Sequence, residues 1–156
     1  MKRTYRIGFV GLGLAALAFS GCLDKDPARP ELQVIEEADF DPSLGVDLSR
    51  MTRTASGLYY EDLVVGEGAI ARTGDLATVR YTGWLINGVQ FDAGEFSFVI
   101  SAGTVIDGFD EGVRGMAVGG KRKLVIPPGL AYGASGSGPI PPGAILVMDV
   151  ELLDVS

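Results

Sequence analysis

The run Leu146-Val147-Met148-Asp149-Val150-Glu151-Leu152 constrains the fold more than any other stretch of the chain. Leu146, Met148, Val150 and Leu152 fall on one side of an extended backbone, and Asp149 and Glu151 on the other, because successive side chains of a strand alternate between faces. A period of two does not fit a helix, so this run is a strand with one face against a core. A second β-prone run, residues 121–126, precedes it and is stopped by Pro127-Pro128, which have no N–H to give to a ladder. Between the two lies a loop of Gly, Ser and Pro, interrupted by Tyr132 and Ile140. Glycine reaches backbone angles closed to other residues and proline fixes its own. A stiff loop that presents an aromatic hydroxyl and an aliphatic side chain suits a shallow apolar site better than a spacer.

Upstream, residues 57–65 and 75–85 read as strands, with Val79 and Tyr81 on one face of the second and Arg80 and Thr82 on the other. Asn87-Gly88 predicts a two-residue hairpin turn with positive φ at both positions. Residues 89–92 return from it, Ala93-Gly94-Glu95 make a short crossing, and 96–100 form another strand. Residues 105–116 predict the one convincing helix, with Phe109, Val113 and Met116 at helical spacing and Asp110, Glu111 and Arg114 off that stripe. Several antiparallel strands with one short helix give an α+β domain, a curved sheet wrapped over the helix.

The N-terminal third reads differently. Lys2, Arg3 and Arg6 precede an uncharged apolar stretch from Ile7 to Ser20, too short for a membrane span of roughly 20 residues and suited to a signal sequence. It ends in Ser20-Gly21 before Cys22, the only cysteine. Small residues before a lone cysteine resemble a bacterial lipoprotein signal, with residues 1–21 removed and Cys22 lipidated. Leu23, where retained lipoproteins carry aspartate, points by the same resemblance to an outer membrane facing the periplasm. Residues 22–50, with Pro27, Pro30, Pro42 and six acids from Glu31 to Asp47, read as a mostly extended acidic tether, and 51–156 as the folded domain.

Charge and composition narrow the chemistry. The chain has 13 basic and 20 acidic residues, and three of the basic ones lie in the leader. That balance opposes nucleic-acid binding, which needs phosphate neutralisation. There is no histidine, which excludes imidazole metal sites and serine–histidine catalysis. The glycine-rich stretch 133–138 lacks the lysine of a phosphate loop.

Separated blocks in the domain resemble the FKBP-type peptidyl-prolyl cis-trans isomerases: Tyr81-Thr82-Gly83, Gly88 with Phe91-Asp92, residues 105–109, Gly112-Val113, Ala131-Tyr132-Gly133, Ile140-Pro141-Pro142 and residues 146–152. The resemblance implies a five-to-six-stranded antiparallel sheet around a short helix, with a proline-binding pocket between them. Carried over position by position, that pocket comprises Tyr81, Phe91, Asp92, Phe96, Val105, Ile106, Phe109, Tyr132, Ile140 and Met148. The backbone N–H of Ile106 and the hydroxyl of Tyr132 would each donate to a substrate carbonyl. Asp92 would lie near the rotating carbonyl or orient Tyr81. Phe98 would back the pocket. Three features depart from well-known members: Phe109 replaces a tryptophan floor, Met148 replaces a phenylalanine wall, and the 92–96 crossing is short.

Rotating an X-Pro amide breaks no bond, so neither nucleophile, metal nor cofactor is required. The partners expected are proline-containing polypeptide clients, macrolide immunosuppressants and, through the lipid, a membrane, with the chain a monomer. A proline-segment binding module and a chaperone with little turnover are the alternative functions.

Overall fold

The computed structural model describes residues 30–156, so the leader and Cys22 lie outside the described residues. Six strands form one antiparallel sheet: β1 (Thr52–Arg53), β2 (Tyr59–Val64), β3 (Leu76–Leu85), β4 (Gln90–Val99), β5 (Lys121–Ile126) and β6 (Leu146–Val155), in the order β1-β2-β5-β6-β3-β4. The chain end thus sits at the centre, with β6 between β5 and β3. This placement explains its strict alternation: Leu146, Met148, Val150 and Leu152 all enter the core. One helix, α1 (Asp107–Val113), lies across that face, burying Phe109 and Val113. Its glycines allow close approach, since a Cβ on Gly112 would come within 2.5 Å of the Leu124 side chain on β5.

Three local expectations are corrected. The Ala93-Gly94-Glu95 crossing is uninterrupted strand, paired with Thr82, Tyr81 and Arg80. β4 is an edge strand, so small and polar residues there face solvent without breaking the ladder. The hairpin at Asn87-Gly88 is a three-residue loop. Gly88 alone has positive φ (81°), while Leu85 accepts from Gly88 N–H and donates to Val89 O. Asn87 stays at negative φ because its side chain accepts from Val89 N–H at 3.1 Å. The helix is shorter than its apolar stripe, and Met116 is buried from the turn beyond it.

The largest difference concerns the segment expected to be an extended tether. From Gln33 to Met51 the chain straps the outer face of the sheet. Ile35, Leu44 and Met51 are buried there against Tyr59, Val125, Ile145 and Val147. Short 3-10 turns at Ile35–Glu37 and Pro42–Leu44 redirect the backbone, the second capped by Asp41, whose carboxylate accepts from Ser43 N–H. Tyr59 donates to Glu36 at 2.7 Å, adding a polar fastening. Among the described residues no helix is long and apolar enough to cross a membrane.

Candidate active site

Where α1 meets the concave face of the sheet, an open cup of about 190 Å³ is lined by Tyr81, Phe91, Asp92, Phe96, Thr104, Val105, Ile106, Phe109, Tyr132, Leu146 and Met148. Drug-sized sites run to roughly 300–1,000 Å³, so this volume fits one ring-sized side chain. Each wall comes from a different element. β3 supplies Tyr81, β4 Phe91 and Phe96, β6 Met148, and the helix Phe109, which is 2% exposed and forms the floor.

The rings hold one another. Phe96 lies 5.8 Å from Phe109 in a stacked arrangement, and Tyr81 meets Phe96 and Phe109 edge-on at 5.4 and 6.0 Å. Phe98 packs behind, 5.6 Å from Phe96 and 5.7 Å from Phe109, buried and outside the lining. Phe91 occupies its place because β3 carries a glycine beneath it: a Cβ on Gly83 would stand 2.5 Å from the ring.

Polar groups sit at the rim. Tyr81 donates its hydroxyl to Asp92 Oδ2 at 2.6 Å, and Asp92 Oδ1 accepts from Ala93 N–H at 2.9 Å. Burial first, and then the bond to Asp92, push the Tyr81 phenol up to about 12. Asp92 is therefore fixed by two donors, and it locks the Tyr81 ring as one wall. Ile106 is the N-cap of α1. Its carbonyl accepts from Phe109 and Asp110, while its own N–H has no acceptor among the described residues and is available to a ligand at the cup. The Tyr132 hydroxyl likewise has no hydrogen-bond partner among the described residues, and the residue is 39% exposed.

Ile140, expected in the pocket, is not among the residues that line the cup. Hydrogen bonds in both directions with Ser137 close a tight turn that sends its side chain into the core, 6% exposed. Two lining residues escaped the sequence reading. Leu146 is one pleat before Met148 on the same face, so the period of two contained the signal. Thr104 sits in an irregular turn with no pattern to reveal it. Asp110, placed off the apolar stripe, is 8% exposed and accepts from Ser101 N–H at 2.6 Å, which fixes the turn leading to Val105 and Ile106. A second recess, about 240 Å³ on the outer sheet face, is lined by Arg80, Lys121, Asp149 and Glu151. These charges already have partners, Arg80 and Lys121 both reaching Glu151, and Asp149 holding Lys123.

The site is an aromatic cup edged by one amide N–H and one phenol that are unpaired among the described residues. The comparisons agree. Residues 68–153 match the family model described as FKBP-type peptidyl-prolyl cis-trans isomerase. The chain is 42% identical over 138 residues to the peptidyl-prolyl cis-trans isomerase FKBP15-3 of Arabidopsis thaliana, covering 83% of this chain and 96% of that one. It is 50% identical over 105 residues to an FK506-binding protein of Neisseria meningitidis serogroup B, covering 64% and 96%. The crystal structure of FkpA from Escherichia coli superposes with a TM-score of 0.64 at 42% identity, covering 69% of this chain and about half (52%) of that longer one. The chain belongs to the FKBP-type peptidyl-prolyl cis-trans isomerase family.

Proposed function

We propose that the cup accelerates X-Pro isomerisation without covalent chemistry, using Phe91, Phe96, Phe109, Tyr81, Val105 and Met148 to hold the pyrrolidine ring. The barrier of about 18–20 kcal/mol arises because rotation destroys amide resonance. The planar amide is the charge-separated form, so an apolar enclosure disfavours it more than the twisted form, which lowers the barrier between them. Ile106 N–H and Tyr132 O–H each take a carbonyl of the bound segment, fixing the chain on both sides of the rotating bond. Asp92 keeps the Tyr81 ring in place and holds its charge at the rim beside the rotating carbonyl. The observation that carries this reading is the convergence of nine of the ten residues expected in the pocket on one aromatic cup with two unpaired donors.

The test is a proline-limited peptide or refolding assay with the full chain. The isomerisation rate is expected to rise with protein concentration, and an unchanged rate at micromolar protein overturns the catalytic reading in favour of a binding module. An FK506-type macrolide, as in the printed names of the relatives, is proposed as a competitor for the same cup.

We further propose that Cys22 carries a lipid, that residues 1–21 are removed, and that the domain works as a monomer on the periplasmic face of an outer membrane. The leader of Lys2, Arg3, Arg6 and the apolar run ending in Ser20-Gly21-Cys22 supports this. Gln33, eleven residues after Cys22, is already fastened to the domain. Clients would be exported chains folding near that surface.

A further inference from the structure

The strap is fastened to the loop that carries Tyr132, and Gln33 makes the join. Gln33 N–H donates to Gly143 O at 2.9 Å, and Gln33 Oε1 accepts from Ile145 N–H at 2.9 Å. Ile145 is fully buried, so without that side chain its N–H loses the acceptor it has in the fold. The contact is close enough to require glycine: a Cβ on Gly143 would come within 2.6 Å of Glu31 O, and Gly143 has φ of 74°. From there the bonds continue inward. Gly143 N–H donates to Gly133 O at 2.8 Å, and Gly133 N–H to Pro128 O at 2.9 Å, with Tyr132 between those two anchor points. Ile35, two residues beyond Gln33, is buried under the sheet and gives the strap a fixed end to pull against.

We propose that Gln33 is a positioning residue for the isomerase site: by clamping the 143–145 backbone it sets the loop from Ala131 to Gly143 and so the place of the Tyr132 hydroxyl at the rim. The inference rests on the reading of Tyr132 as a substrate contact. It also means that the segment preceding the family-matched residues 68–153 is part of the working site.

The experiment is a double-mutant cycle in the full chain, read by KM and kcat in the prolyl-peptide assay and by amide hydrogen exchange. Gln33→Leu is expected to lower kcat/KM about fivefold, the scale of one lost hydrogen bond, mainly through KM. Gln33→Glu, which keeps an acceptor for Ile145, should restore it to within about twofold of the parent. In a Tyr132→Phe background Gln33→Leu should have no further effect. A Gln33→Leu protein as fast as the parent while Tyr132→Phe is slower overturns the proposal and leaves the site reading intact. Equal slowing by Gln33→Leu in both backgrounds also overturns it, because Gln33 then acts without Tyr132. If Tyr132→Phe and Phe91→Ala both match the parent, the site reading is what fails. Exchange then decides the clamp alone: faster exchange at the Gly133 and Gly143 amides in Gln33→Leu supports it, and unchanged exchange overturns it.

Discussion

At the residue scale the cup depends on pairs rather than single side chains. Tyr81 stays protonated far into the alkaline range because burial and the bond to Asp92 both disfavour the phenolate. A raised folded pKa contributes stability that is complete below the ordinary tyrosine value of about 10 and disappears as pH rises through about 12. Ultraviolet titration should therefore show one phenol ionising near 12, with melting temperature falling between pH 10 and 12. Asp92→Ala should shift that phenol downward; a titration unchanged by the substitution would contradict the coupling. Phe109→Ala and Phe91→Ala should each lower kcat/KM by more than about tenfold, since each removes a ring that encloses the ligand. Tyr132→Phe should lower it only a few-fold, the scale of one hydrogen bond. Equal activity in all three variants would mean that the ring binds elsewhere. The charged run at 121–123 is held by distant partners. Lys123 is buried with Asp149 at 2.6 Å, and Arg122 reaches Asp62 at 2.6 Å and Gly112 O at 3.0 Å over the Tyr60 ring. The carboxylates that pair with Lys123 and Arg122 lie 26 and 60 residues away, so no local pattern reveals them.

At the element scale, the helix and the strap cover opposite faces of one sheet. The helix approaches β5 across Gly108 and Gly112, so Gly112→Ala should cost about 1–3 kcal/mol through its clash with Leu124. Calorimetric melting checks this, and an unaltered transition would mean that the helix has room to move off. On the other face, Ile35→Ala should cost about 2–5 kcal/mol, because the side chain is enclosed by the sheet and not by solvent. A spacer would show no change. The strap also has an acid-sensitive fastening. The bond from Tyr59 holds the Glu36 carboxyl below its ordinary 4.5, with its backbone and Arg53 lowering it further. A lowered folded pKa gives stability that is present above about 4.5 and lost as pH falls. Hydrogen-exchange protection over residues 33–51, measured relative to the intrinsic exchange rate at each pH, should fall on acidification, and less so in Glu36→Gln.

At the scale of the whole molecule, a row of charges ties the strands together on the outer face. Arg80 of β3 bridges Glu95 of β4 and Glu151 of β6, and Lys121 of β5 joins Glu151. Such exposed pairs are worth little singly, and their alignment follows from register. The proposed attachment to an envelope rests on the lipid at Cys22. Cys22→Ser is expected to move the protein from membrane to soluble fractions, and retention in the membrane would refute the anchor.

Residue order alone made legible the strands with clear periodicity and the helix of the described domain, because alternation is a local quantity written along the chain; nine of the residues that converge on the cup were given by the resemblance of the separated motifs to a known family. Packing in the folded chain settled what the segment before Met51 does. Ile35, Leu44 and Met51 follow no helical or strand period, and the surface that buries them, Val125, Ile145 and Val147, exists only after β5 and β6 pair. It decided Ile140 for a similar reason. Its two bonds to Ser137 turn the side chain inward, and a turn's direction depends on backbone torsions that residue types leave open.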